Sequence, residues 1–595
     1  MSAAPNPAPS ARHGLEYKWV ALANTTVGTL MATINSTIVL ISLPVIFRGL
    51  AVNPLAPGQT GLLLWVLMGY NLATTVLLVT FGRISDTYGK VRFYNLGFMV
   101  FTLGSLLAAF TPSLGLAGEW ELIAFRAVQG VGGAFLFANS AAILTDAFPS
   151  DQRGLALGIN QIAAIGGSVL GLVLGGLLAA VDWRLVFLVS VPIGVAGTIW
   201  SYKKLREVGV TTRQPPDLWG NLSFGIGLTL LMVALTYALL PYGNQAMGWT
   251  SPLVEWGGGI GLLLLVAFGL IERRTAYPMF QLRLFAIRSF SAGNLSGFLG
   301  GLARGGLQFM LIIWLQGVWL PLHGVAFSQT PLQAGIDTLP MMVGFMVAGP
   351  ISGTLSDRYG ARTFATLGML VSAFGFWLLT TLPPDFAFGP FALYLGTLGV
   401  GMGLFAAPNT ASIMNSVPAA YRGVASGMRA TFQNAAVMMS LAVFFTLVIS
   451  GLTTRLPHAL FAGFTAAGLS SAVATPLSHM PPVVALFSAL LGYNPLAHLL
   501  PPALLAALPK AAVAHLLGTR FFAGLMSAPF SASVHVAFYI SAGMSVVAAV
   551  ASLMRGGHYV WQNDPQMSSL PMVPDRPDGE AEDAGSAEPE AAGGD

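Results

Sequence analysis

The sequence predicts an all-α integral membrane protein: two pseudo-symmetric six-helix bundles plus two inserted spans, fourteen transmembrane helices in all. Three observations carry that prediction: an apolar excess, the number of bilayer-length stretches, and an internal repeat. Of 595 residues, 55% are hydrophobic and only 8% are Asp, Glu, Lys or Arg, against about 25% charged in soluble domains. So few charges cannot clothe a water-soluble globule of this length, and the mean hydropathy of +0.72 agrees. The 70 glycines and 37 prolines suit closely packed, bent spanning helices. The absence of cysteine excludes disulfides, thiolate metal sites and cysteine nucleophiles.

A helix needs roughly 20 apolar residues to cross the bilayer core, and fourteen stretches meet that length. Spans 1 to 6 are expected near 21–44, 61–82, 93–112, 121–147, 154–180 and 185–202. Spans 7 and 8 follow near 219–240 and 252–271. The last six lie near 290–318, 331–353, 363–382, 388–411, 424–451 and 532–554. With the N-terminus inside, twenty of the 27 Lys and Arg fall in cytoplasmic segments, among them Arg83, Lys90, Arg92, Lys203, Lys204, Arg358, Arg362, Arg422 and Arg429. That bias follows the positive-inside rule and places both termini in the cytoplasm. The expected organisation is a flexible leader (1–20), an N-terminal six-helix bundle (21–205), a linker carrying spans 7 and 8 (206–289), spans 9 to 13 (290–451), an extracytoplasmic insertion (452–531), span 14 (532–556) and a tail (557–595). From Asp564 onward the tail has nine acids and one base, so it has little to bury and is expected to be disordered. Within the insertion, Ala459–Ala474 and Pro502–Leu517 are too short or too Pro-broken to span. They read as amphipathic helices on the outer bilayer face or capping the outer mouth, with two extra spans as the alternative.

Self-similarity is the strongest signal. Gly82-Arg-Ile-Ser-Asp86-Thr-Tyr-Gly89-Lys90-Val-Arg92 recurs as Gly353-Thr-Leu-Ser-Asp357-Arg-Tyr-Gly360-Ala-Arg362. Asn139-Ser-Ala-Ala-Ile143 recurs from Asn409, and the Pro149 to Gly158 segment, with Arg153, recurs as Pro418 to Gly427, with Arg422. Three matches in order, at nearly constant offset, imply two homologous six-helix halves in the same orientation. Transporters place substrate at such a repeat interface near mid-membrane. Rocking one half against the other needs this symmetry; a receptor or scaffold does not.

At these residues the chain resembles the major facilitator superfamily, and its fourteen spans resemble the drug/proton antiporter branch. The resemblance covers about residues 20–450 and span 14. The loop motif matches through Gly82, Asp86, Gly89, Lys90 and Arg92. The span-4 motif matches as Arg126-Ala-Val-Gln129-Gly130, and the span-5 glycine motif as Gly158, Gly167, Gly171, Gly175 and Gly176, with Leu172 where the family has Pro. The resemblance implies that the loop cluster, with Asp146, latches the cytoplasmic side in one conformational state. Physically, Asp86 can accept hydrogen bonds from the following helix N-terminus and pair with nearby cations, while Gly89 allows a tight turn. Gly167, Gly171 and Gly175 form a small-residue stripe for close helix packing.

Intramembrane charges are expensive and mark function. Arg126 lies inside span 4, with Glu121 five residues earlier near the outer interface and Gln129 on the same face. Arg304 lies inside span 9, with Asp337 as its candidate partner. In span 1 the family's buried Asp is replaced by Asn35, which cannot titrate. Glu121 and Asp337 are then the acids within spans that could carry a proton. No nucleotide-binding loop and no catalytic or metal-ligating constellation is present in the sequence, so neither an enzyme nor a cofactor is expected. The expected function is proton-driven export of amphipathic or hydrophobic small molecules across a bacterial inner membrane. The expected partners are substrate, protons and membrane lipids, with no nucleic acid or obligate protein. Alternatives are export of a cell-envelope lipid or secondary metabolite, or a non-transporting membrane sensor.

Overall fold

The computed structural model describes residues 16–556, apart from 53–59, 150–151, 209–216, 244, 276–277, 279, 328, 419–420, 492–493, 495, 497–499 and 501–508. Most of the expected leader and the whole acidic tail therefore lie outside the described residues. Among the described residues, fourteen helices are long and apolar enough to cross a membrane. They begin with α1 (Tyr17–Gly49), α2 (Thr60–Tyr88), α3 (Lys90–Ala109), α4 (Gly115–Ala147), α5 (Arg153–Ala179) and α6 (Leu185–Lys204). Next come α7 (Leu218–Ala238), α8 (Pro252–Arg274), α9 (Arg288–Leu322) and α10 (Thr330–Tyr359). The chain continues with α11 (Ala361–Leu379), α12 (Phe388–Asn415) and α13 (Arg422–Ala466). Three short helices, α14 (Ser471–Ser478), α15 (Pro482–Leu491) and α16 (Lys510–Leu517), precede the last span, α17 (Thr519–Leu553). Helices dominate because in hydrocarbon every backbone N–H and C=O must be satisfied within the protein.

Burial separates interior helices from the rim. In α1 and α4, 78% of the apolar window is buried, but in α8 only 17% is. Trp256, Leu262 and Leu263 of α8 face outward, as lipid-facing side chains do. The helix α8 packs on α7, which in turn reaches α2 and α13.

The repeat is visible in the packing. In the first half α1 lies on α5, α2 and α3 lie on α4, and α3 lies on α6. In the second half α9 lies on α13, α10 and α11 lie on α12, and α11 lies on α17. Gly89 and Gly360 start α3 and α11 with φ of 110° and 85°, a region that glycine enters without a steric cost. We call the end of the bundle that carries these two turns the loop end.

The glycines of α5 set how closely the first half packs. A Cβ on Gly167, Gly171 or Gly175 would lie 2.9, 2.6 and 2.8 Å from the carbonyl oxygens of Leu30, Ile34 and Ile38 of α1. Glycine and carbonyl thus advance together in steps of four. Thr37 donates to Ser168 O at 2.7 Å and Ser42 to Gly175 O at 3.2 Å across the same contact. Gly158 and Gly176 face the second half instead, where a Cβ would lie 3.6 Å from Ala407 and 2.6 Å from Leu332 Cα.

Two features depart from the expected elements. First, α9 is interrupted at its midpoint by Gly305 and Gly306 and then winds as a π-helix over Ile313–Trp319. A Cβ on Gly305 would lie 2.6 Å from Val437 Cα, so the break lets α9 cross α13 closely. Ser440 serves the disturbed backbone, accepting from Gly306 N at 2.8 Å and donating to Leu302 O at 2.5 Å. Second, the helices on either side of the insertion expected at 452–531 run on into it. The helix α13 runs on to Ala466 and α17 begins at Thr519, so Ala459–Ala474 is not one separate helix. Of the Pro502–Leu517 candidate, 510–517 is helical and 501–508 lies outside the described residues. The helix α15 is not amphipathic. All its residues except Val484 are buried, and Gln316 of the π-segment donates to its Leu490 O at 3.3 Å. Apolarity from Val483 through Leu491, broken only by Ser488, drives it into the protein, not onto the bilayer face. α14 and α15 meet at 87°, next to Pro481 and Pro482.

The glycine contact yields a test. Gly171→Leu should abolish recovery of monodisperse protein in detergent, because its side chain has no space against Ile34. Gly269→Leu on α8, where no atom lies within 4 Å, should be recovered normally. Equal recovery of the two variants by size-exclusion chromatography would show that the α1–α5 contact does not limit folding.

Candidate functional site

Between the halves, at the midpoints of α1, α2, α5, α9, α12 and α13, lies a cavity of about 260 Å³. Thr33, Ser36, Asn71, Thr75, Gln161 and Ser168 line it from the first half, and Arg304, Gln308, Met402, Gln433 and Asn434 from the second. It continues toward the loop end as a narrower pocket that shares Gln161, Arg304, Met402 and Gln433 and adds Asn294, Phe298, Phe405, Asn409, Arg429 and Phe432. Hydroxyls and amides alternate with apolar walls, and no Asp, Glu, Lys or His is among the described lining residues.

Behind the cavity, Arg126 is fully buried. Its Nη1 donates to Asn35 Oδ1 and, at 3.1 Å, to Gln129 Oε1, while Nε donates to Val66 O at 3.3 Å. The guanidinium lies 4.9 Å from the centre of the Tyr70 ring, a cation–π contact. Gln129 is fixed in turn by donating to Ser105 Oγ at 2.9 Å. The structure therefore brings together Asn35, Arg126 and Gln129 from the sequence candidates. The position where the family carries an acid meets the buried arginine, but with an amide. Arg126 Nη2 and Asn35 Nδ2 are left without partners.

Glu121 is not part of this group. It accepts from Ser113, Oγ at 2.7 Å and N at 3.2 Å, and so holds the turn between α3 and α4. The expected pairing of Arg304 with Asp337 is also absent. Asp337 accepts from Gln333 at 2.9 Å, one helical turn away, while Arg304 lines the cavity. The sequence reading missed Glu119. It is buried with neither carboxylate oxygen partnered, and its place two residues before Glu121, on another face of α4, was the available signal.

At the loop end, Lys90 joins the candidates Asp86 and Asp146, with N–O separations of 3.7 and 2.7 Å. The expected capping of α3 by Asp86 is not what the structure shows. Glu207, beyond α6, takes that role: its oxygens accept from Lys90 N and Val91 N, each at 2.9 Å. A carboxylate at a helix N-terminus satisfies orphan donors and meets the positive end of the dipole. Arg153 donates to Thr145 O at 3.0 Å and Phe148 O at 3.1 Å, closing the end of α4. Gly82 is buried, Arg92 exposed. The second copy is different: Gly353 and Gly360 are buried, but Asp357 and Arg362 are exposed. The Arg422 side chain lies outside the described residues. Arg429, counted among the cytoplasmic cations, instead lines the cavity two turns into α13; its position inside the predicted span 424–451 was the signal.

Comparison with known proteins agrees with this architecture. The family profile described as Major Facilitator Superfamily matches residues 25–440. A riboflavin transporter, RibZ, of Clostridioides difficile is 28% identical over 445 residues, which is 74% of this chain and 90% of that protein. The multidrug resistance protein Stp of Mycobacterium tuberculosis is 30% identical over 448 residues, 74% of this chain and 78% of that protein. Among solved structures, the proton:xylose symporter XylE superposes with a TM-score of 0.51 at 14% identity, covering 79% of this chain and 95% of that one.

The unpartnered atoms around Arg126 make a prediction. Asn35→Asp replaces an orphan donor with a second acceptor for a buried guanidinium, allowing a two-point ion pair. Satisfying such a group is worth about 1–3 kcal/mol, so the variant should melt at a higher temperature in detergent. An unchanged or lower melting temperature would mean that Arg126 is already fully compensated.

Proposed function

The chain belongs to the major facilitator superfamily and is a membrane transporter of small molecules, not an enzyme; from that premise we propose that it exports amphipathic and hydrophobic compounds in exchange for protons. The observation that carries this reading is the cavity. It lies midway along the spans, is walled by both halves of the repeat, and mixes aromatic, Met, hydroxyl and amide side chains. Such walls accept varied apolar bodies and fix no single polar pattern. The likeness to a multidrug resistance protein supports the export direction.

In this reading the membrane is a bacterial inner membrane and the loop end is cytoplasmic, as the cation bias requires. The units are the leader, the two six-helix halves, the α7–α8 linker, the insertion and the tail. Rocking of the halves about the cavity exposes it to each side in turn. Lys90, held between Asp86 and Asp146, closes the loop end in one state. Glu119 is the acid best placed to exchange the proton. It is buried without a partner, whereas Glu121 is held by Ser113 and Asp337 by Gln333.

Orientation can be tested directly because the chain has no cysteine. Cysteines at the exposed positions Lys204 and Thr250 should label from the cytoplasmic and outer sides, respectively; labelling of both from one side would overturn the topology.

Transport is tested in everted vesicles given a lipophilic dye in the medium. Dye accumulation should collapse when an ionophore dissipates the proton gradient, and its insensitivity would remove proton exchange. Glu119→Gln should flatten the pH dependence of accumulation, while Glu121→Gln should keep it. The reverse pattern would return the role to Glu121.

A further inference from the structure

We propose that Arg304 and Arg429 form an anion-binding site in the cavity, and that the transported compound is an amphipathic anion: an apolar, ring-sized body carrying one acidic group. The transport half of this proposal rests on the efflux reading above; the binding half does not.

The two arginines come from neighbouring parallel helices. Gly301 of α9 lies against Ala436 of α13, and Gly305 lies against Val437. Arg304 is thus level with the Val437 region, and Arg429 is eight residues nearer the loop end. At 1.5 Å per residue that is about 12 Å along the axis. Both side chains line the same narrow pocket, one above and one below. An acidic group held between them can be met by a guanidinium from either end.

Several other cations inside this bundle have protein acceptors, although Arg126 Nη2 and, on Arg555, which donates to Asn409 Oδ1, Nε and Nη1 stay without partners. Arg126 has oxygen acceptors from Asn35, Gln129 and Val66. Lys90 has two carboxylates, and Arg153 has two carbonyls. Arg304, by contrast, makes no hydrogen bond or ion pair among the described residues. Arg429 donates to Gln433 Oε1 at 2.9 Å and leaves Nε without a partner. Two cations in a membrane interior without a carboxylate are costly. The missing counter-charge is supplied by what enters the cavity. The walls say what else it carries: Phe298, Phe405, Phe432, Met369 and Met402 surround the arginines, and a bare inorganic anion would leave those surfaces unused.

The test compares dyes that share one tricyclic frame, fluorescein (anionic) and rhodamine 123 (cationic), binding to the purified full chain in detergent. Fluorescence anisotropy should show fluorescein binding at least about tenfold more tightly. Arg304→Gln and Arg429→Gln should each reduce the fluorescein-to-rhodamine affinity ratio by about tenfold, the scale of a lost charge-assisted hydrogen bond. The Lys variants should retain most of the ratio. Rhodamine binding as tightly as fluorescein, or a ratio unmoved by the Gln variants, overturns the site. If the Gln variants do not fold, competition on the unaltered protein decides: 1-naphthoate should displace fluorescein at least about tenfold better than the uncharged 1-naphthamide, and equal displacement overturns the site. Uptake into everted vesicles separates the two readings. Arginine-dependent fluorescein binding without movement removes efflux and leaves the site; rhodamine movement with an unmoved affinity ratio removes the site and leaves efflux.

Discussion

A charge inside a bilayer must be met by something, and that constraint organises this protein. Hydrocarbon offers no hydrogen bonds, so every cation within the bundle is answered by protein atoms or left for an incoming partner. Arg126 is answered by amide and carbonyl oxygens, Lys90 by two carboxylates, and Arg153 by the carbonyls that α4 leaves open at its end. The same rule governs the backbone. Where α9 breaks at Gly305 and Gly306, the Ser440 hydroxyl joins the neighbouring backbone N–H and C=O. The cavity is where two such cations, Arg304 and Arg429, are left facing open space.

The two halves share a backbone plan but not a charge plan. Both begin their third helix with a positive-φ glycine, at Gly89 and Gly360. The first half surrounds that turn with a partly buried cation, two acids and a distant capping glutamate; in the second, Asp357 and Arg362 are exposed. Divergence after duplication is cheapest at side chains, because the turn itself demands only glycine.

Much of the fold was legible in the sequence, because apolar runs of bilayer length and a repeat at constant offset are both local or one-dimensional signals. Helix ends in the insertion were less legible. The outer turns of α13 and α17 carry Thr, Arg, His and Pro that lower hydropathy without stopping a helix supported by its neighbours. The site was legible where spacing decides, as for Arg126 and Gln129 on one face of α4. It was not legible where partners come from afar. Glu207 caps a helix that begins 117 positions earlier, and no periodicity announces that. Arg304 and Asp337 looked like a pair because each was a lone charge in adjacent spans; Arg304 lines the cavity instead, and Gln333 occupies Asp337. Arg429 was counted by charge sign as a loop residue although its neighbours in sequence were apolar.

The interrupted α9 has a mechanical consequence. A continuous helix is a rigid rod, so tilting one end displaces the other. A rod loosened at its midpoint by two glycines and continued as a π-helix bends more easily there, and the loosened point here is Gly305–Gly306 at the side of the cavity. The half beyond the glycines is anchored, since its π-segment is clamped against the buried α15 through Gln316 and Leu490. The half before them ends at Arg304. A bend at the glycines would therefore move the Arg304 end of α9 while the π-segment keeps its contact with α15.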